Sequence, residues 1–215
     1  METRRELCGG RSAQVKELNM TFKLWACFLI VLMGTYLCIA NDELKSLFDL
    51  AVRTIELHKK GDLRTTQISF TEFTNSWDRQ TQTNEYSKLV WIKASECFVE
   101  CGEYTKATNV LEEVTRRTGR SLPPDVPYLL ARALYAKQEY EAVNGVLKKF
   151  AYHCKQLPNN KQQELSIIGA DTNEKLGNTR LVETFLEEAV RLDATSDAGK
   201  SANERLERLL FKEKR

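Results

Sequence analysis

Between Lys88 and Ala194 one apolar pattern returns three times, and nothing else in the 215 residues restricts the fold as strongly. Its clearest copy places Trp91, Ala94, Ser95 and Phe98 on one face of a helix with 3.6 residues per turn. Gly102 follows and admits a sharp turn at no steric cost. Ala107, Leu111 and Val114 then form a second helical stripe. Two stripes joined by so short a turn predict a pair of antiparallel helices. A second copy lies 36 residues on, with Tyr140 where Tyr104 stood, Leu130, Ala131 and Leu134 on its first helix, and Val143, Leu147 and Phe150 on its second. The third carries Gly177, Val182, Leu186 and Ala189 after a first helix expected over Glu164–Leu176, with Gly169 and Asn173 at core positions.

These copies resemble the tetratricopeptide repeat, whose first helix carries an aromatic, a small pair and another aromatic, and whose second carries a small-large-small stripe. The second copy departs from that pattern at Pro127 and at Val143. Spacings of 36 and 39 residues, against about 34 in the family, imply lengthened turns between repeats. The resemblance implies an all-α fold, a right-handed superhelical array of antiparallel hairpins with eight or nine helices after residue 40. An irregular helical bundle with accidental periodicity is the competing architecture.

The rest of the chain divides around that array. Leu24–Ala40 is seventeen residues without a charge, preceded by Lys23 and ending in Cys38-Ile39-Ala40. Residues 20–40 therefore read as a secretory signal peptide cleaved after Ala40. A membrane span takes about 20 apolar residues and about 17 at the lower limit, so a retained anchor is the other reading. Residues 1–19 have no pattern and read as disordered or as a start placed ahead of a natural one at Met20. Residues 41–84 read as a degenerate leading hairpin. In it Leu44, Leu47, Phe48, Ala51 and Ile55 form one stripe before Gly61, and Ile68, Phe70, Phe73 and Trp77 another, with a polar loop over Arg79–Glu85. The three hairpins occupy 85–195. Residues 196–215 form an amphipathic capping helix with Ala198, Ala202, Leu206, Leu209 and Leu210 on one side.

Charge narrows the function. Of 32 Lys/Arg and 30 Asp/Glu, five and three precede residue 41, leaving 27 of each. A nucleic-acid reader carries a basic surplus on its domain, so no nucleic acid is expected as partner. The mean hydropathy of −0.44 argues against a polytopic membrane protein, which leaves residues 24–40 as the membrane contact to consider. Chemistry is thinly represented: two histidines, no His-Glu-x-x-His, no Cys-x-x-Cys, no phosphate loop and no Gly-x-Ser-x-Gly. No catalytic residue and no cofactor are expected. Cys97 and Cys101, four apart on one helix, would join His153 and Cys154 as four ligands if a tetrahedral zinc site formed. Small buried residues, or a Cys101–Cys154 bridge, are the alternatives.

In the tetratricopeptide family the first helices line a concave groove. Carried over, that face holds Leu89, Ile92, Glu96, Val99 and Glu100, then Asp125, Tyr128, Arg132, Tyr135 and Ala136, then Glu164, Ile167, Asp171, Glu174 and Lys175. Ile92, Glu96, Val99, Tyr128, Arg132, Tyr135 and Asp171 are the candidate groove residues for a protein or peptide partner. Aromatic and arginine side chains are the anchors that interfaces favour. Members that bind chaperone tails clamp a terminal carboxylate with Lys and Asn where this chain has Ile92 and Glu96, and Glu repels a carboxylate. The function implied is a non-catalytic scaffold for protein binding, exported or membrane-tethered. A membrane-anchored assembly factor, and an enzyme or metal protein using the cysteines, are the other readings.

Overall fold

A computed structural model describes residues 42–82 and 87–213, so the leading apolar segment and the residues before it lie outside the described residues. The chain divides into two units, Met1–Ser46 and Leu47–Arg215. Of the first, residues 42–46 are described, and they are helical.

Residues 42–59 form α1, on which Leu47, Ala51, Thr54 and Ile55 are buried at helical spacing. Nine further α-helices follow among the described residues: α2 (Leu63–Gln82), α3 (Lys88–Glu100), α4 (Tyr104–Thr118), α5 (Asp125–Ala136), α6 (Tyr140–Lys149), α7 (Ala151–Cys154), α8 (Asn159–Lys175), α9 (Thr179–Leu192) and α10 (Asp197–Glu213). No strand occurs among the described residues. None of these helices is long and apolar enough to cross a membrane.

Helices are laid down in hairpins because one turn is used four times. Gly61, Gly102, Gln138 and Gly177 have φ of 75°, 84°, 62° and 73°. After each, the next amide closes the helix end five residues back: Asp62 N–H to Leu57 O, Glu103 to Phe98, Glu139 to Leu134, and Asn178 to Asn173. Each turn residue's own amide reaches the carbonyl three back, completing a Schellman cap. The spacings between the last three turns are the 36 and 39 residues of the sequence pattern. Gln138 stands at a position the other hairpins give to glycine, and a side chain in the left-handed region costs about 1–2 kcal/mol. Gln138→Gly should therefore raise the urea midpoint by the equivalent of about 0.5–1 kcal/mol, the entropy of glycine offsetting part of the relief.

Each hairpin leans on the next. α3 packs on α4, α5 on α6, and α8 on α9 within hairpins; α4 meets α5 and α6 meets α8 between them. The first helices also touch in succession, α3 with α5, α5 with α8, and α8 with α10. At the front, the rings of Phe73 and Trp77 on α2 lie 5.2 and 5.8 Å from that of Phe98 on α3, with Trp91 5.3 Å from Trp77. Phe98 is fully buried and Trp91 nearly so. This aromatic core holds α2 helical through its threonines, whose branched side chains disfavour a helix.

Four features differ from the sequence reading. Ile68 is 57% exposed, and the buried stripe of α2 runs instead through Thr66, Ser69, Phe73, Trp77 and Gln80. α2 also reaches Gln82, into the expected loop. The second helix of the second hairpin stops at Lys149, and Phe150, with φ −112°, separates it from the single turn α7. That break adds the tenth helix. Finally, α8 starts at Asn159, five residues before the expected Glu164. The extra turn places buried Gln163 so that its amide nitrogen donates to Ala189 O and Asp193 O, at 2.8 and 2.7 Å, capping the C-terminal end of α9. Gly169, an apparent weakness in that helix, lies directly under the ring of Phe185 and lets α8 and α9 close together.

Candidate functional site on the first-helix face

The first helices α3, α5, α8 and α10 are joined side by side by one line of polar side chains. Arg132 is its centre. From α5 its Nη1 donates to Glu100 Oε1 on α3 at 2.8 Å, and its Nε lies 3.0 Å from Glu164 Oε1 on α8. The Tyr128 hydroxyl donates to the other oxygen of Glu164 at 2.6 Å. Lys161 pairs with Asp125 at 2.7 Å, and the Tyr135 hydroxyl donates to Asp171 at 3.2 Å. The line continues to α10, where Arg205 reaches Asp171 at 2.7 Å and Glu174 at 3.0 Å. Charged donors and acceptors of this kind make hydrogen bonds about twice as strong as neutral ones, and the planar guanidinium serves two carboxylates at once.

Register explains why these pairs meet. Residues 125, 128 and 135 of α5 face 161, 164 and 171 of α8, a constant offset of 36. Between α5 and α8 one stripe therefore meets the other in a single register, whereas Glu100–Arg132 and Asp171–Arg205 join the neighbouring steps at offsets of 32 and 34. Arg132 and Lys161 also stand over the ring of Tyr128, at 5.6 and 5.0 Å from its centre. Burial, and then the Glu164 carboxylate, hold the Tyr128 phenol well above its ordinary pKa. Burial and Asp171 raise that of Tyr135. Burial works against the Arg132 charge, but the bond to Glu100 and the surrounding groups outweigh it and its pKa is raised. Both phenols stay neutral donors, and Arg132 stays a cation.

The expected groove residues are thus brought onto one set of adjacent helices, with unequal access. Val99 and Tyr128 are buried. Ile92, Glu96, Arg132, Tyr135 and Asp171 are half-buried. Glu96 is paired with Lys93 in its own helix at 2.5 Å. Arg132, Tyr128, Tyr135 and Asp171 all have partners on neighbouring hairpins, so their first task is to hold the hairpins together. Arg205 belongs to the same line and was missed in the sequence, because α10 there reads as an end cap. Its spacing of 34 residues from Asp171 was the available signal.

The cysteine readings can be placed as well. Cys97, Cys101 and Cys154 are free thiols. Among the described residues no group of three or more His, Cys, Asp or Glu side chains is arranged to hold a metal, so Cys97, Cys101, His153 and Cys154 do not gather into the four-ligand site. Nor does the Cys101–Cys154 bridge form.

Taken together, the repeated cap, the hairpin succession and the cross-hairpin line define an all-helical protein of repeat-like construction. Comparison of the chain with known protein families, with characterised proteins and with solved structures returns no match.

Proposed function

We propose that this protein is a non-catalytic protein-binding scaffold, built as a right-handed superhelical array of tetratricopeptide-like hairpins. Its partner is a protein or peptide laid along the first-helix face. The single observation supporting this reading is the uninterrupted side-by-side series α3, α5, α8 and α10, tied by Arg132 and Arg205. Such a series leaves an elongated face whose half-buried side chains, Ile92 and Arg132 among them, remain within reach of a ligand. Arg132 offers a partner the donors its two glutamates do not occupy, and Ile92 offers apolar area. The scaffold acts outside the cytoplasm or at a membrane surface, a reading supported by the apolar run at residues 24–40.

Affinity capture with the full chain tests the face. The prey retained by the unaltered protein should be lost with Ile92→Ala and with Arg132→Ala, while helicity by circular dichroism is unchanged. Tyr152→Ala, at a 74% exposed position of α7 outside the polar line, should retain it. Prey held equally by all three variants sinks the assignment of this face.

A further inference from the structure

A second polar cluster lies within the apolar core where α1, α2 and α3 meet. Thr54, Ser69 and Cys97 are 0, 2 and 0% exposed. Thr54 Oγ1 donates to Leu50 O at 2.8 Å and lies 2.8 Å from Ser69 Oγ. Cys101 follows one turn after Cys97, and its N–H donates to Cys97 O at 3.0 Å. The helical geometry therefore reaches Cys101 and puts both side chains on one face. Cys97 is sealed from water and Cys101 is half-buried, so the pair opens to solvent on one side only. The neighbouring Cys101 side chain and then burial push the Cys97 thiol far up, and the Cys97 side chain draws that of Cys101 down.

Geometry decides what such a pair can hold. Side chains one helical turn apart have β-carbons about 5–6 Å from each other. A disulfide needs them about 3.5–4.5 Å apart, so the last turn of α3 would have to unwind. A single bridging cation fits without that distortion, because two metal–sulfur bonds of about 2.3 Å set the sulfurs about 4–5 Å apart. With no third ligand gathered among the described residues, the ion must accept two-coordination by soft donors, which is the preference of copper(I). We propose that Cys97 and Cys101 form a two-thiolate site for a copper(I)-type cation, reached from the Cys101 side.

Binding replaces two S–H bonds by two copper–sulfur bonds. Both protons pass to solvent, the ion stays cuprous, and the site carries one negative charge. The charge of Glu96 acts on Cys97, and those of Glu100 and Glu103 on Cys101; acting through space, they oppose the thiolates and attract the incoming cation.

The test uses the full chain with Cys8, Cys27, Cys38 and Cys154 replaced by serine, reduced, without oxygen, and titrated with copper(I) against a coloured copper(I) chelator. One ion per chain is expected, with two sulfur neighbours by X-ray absorption. Adding Cys101→Ser, at the half-exposed position, should abolish that binding with helicity unchanged, and so should Cys97→Ala. If Cys97→Ala unfolds, Cys101→Ser alone decides the matter. Copper held equally after Cys101→Ser, or no stoichiometric binding in the four-serine chain, overturns the site.

Discussion

Phe98→Ala is expected to lower stability by about 3–5 kcal/mol, the largest loss from any single truncation considered. Phe98 is fully buried, and its ring meets three others: Phe70 and Trp77 edge-on at 6.2 and 5.8 Å, and Phe73 tilted at 5.2 Å. Phe70, Phe73 and Trp77 belong to α2, so truncation opens a cavity between the leading hairpin and the first clear repeat. Edge-on ring pairs also contribute about 0.5–1.5 kcal/mol beyond the area they bury. Urea unfolding followed by tryptophan fluorescence reads the effect, since Trp77 and Trp91 lie in the same cluster. A loss below about 1 kcal/mol would show that α2 does not pack on α3 through this ring.

Gly199→Ala is expected to destabilise by about 1–3 kcal/mol, although alanine is the better helix former by about 1 kcal/mol. A β-carbon at residue 199 would stand 1.9 Å from the carbonyl oxygen of Asp193 and 3.0 Å from Cα of Ala194. These atoms are backbone and cannot rotate away. The chain crosses the first turn of α10 here, held by Asp193 Oδ1 accepting from the amides of Thr195 and Ser196, at 2.9 and 3.2 Å. Relief of the clash must move α10, and with it Arg205. Hydrogen exchange in α10 should accelerate while that of α3 stays unchanged. Gly145→Ala is the control: the same exchange, in an exposed helix interior with nothing within 4 Å, should stabilise by about 0.5–1 kcal/mol. If the two substitutions shift the urea midpoint alike, the close crossing is absent.

How much of this was legible in the sequence follows from where each signal lives. The three second-helix stripes could be read because burial on one side repeats every turn; Leu111, Val143 and Leu186 are all buried as the spacing implies. The turn at Gln138 could be read only through its register with Gly102, since glutamine by itself does not announce a left-handed residue. Gly169 looked like a defect because its use depends on Phe185, sixteen residues later and on another helix. The polar line on the first helices was half legible. The face was placed by family resemblance, but the partners of Tyr128, Arg132 and Tyr135 are set by contacts 32 to 36 residues away.

What the sequence determined by itself is local: apolar stripes at helical period and turn positions. Periodicity depends on neighbours within one or two turns, so a linear reading captures it. Only the tertiary structure decided that Arg132 and Arg205 hold successive first helices together, that Gln163 caps α9, and that Thr54, Ser69 and Cys97 share a buried cluster. Each of those depends on which side chains two helices bring within about 3 Å of one another. That distance is set by crossing geometry and close packing, which no single stretch of the chain encodes.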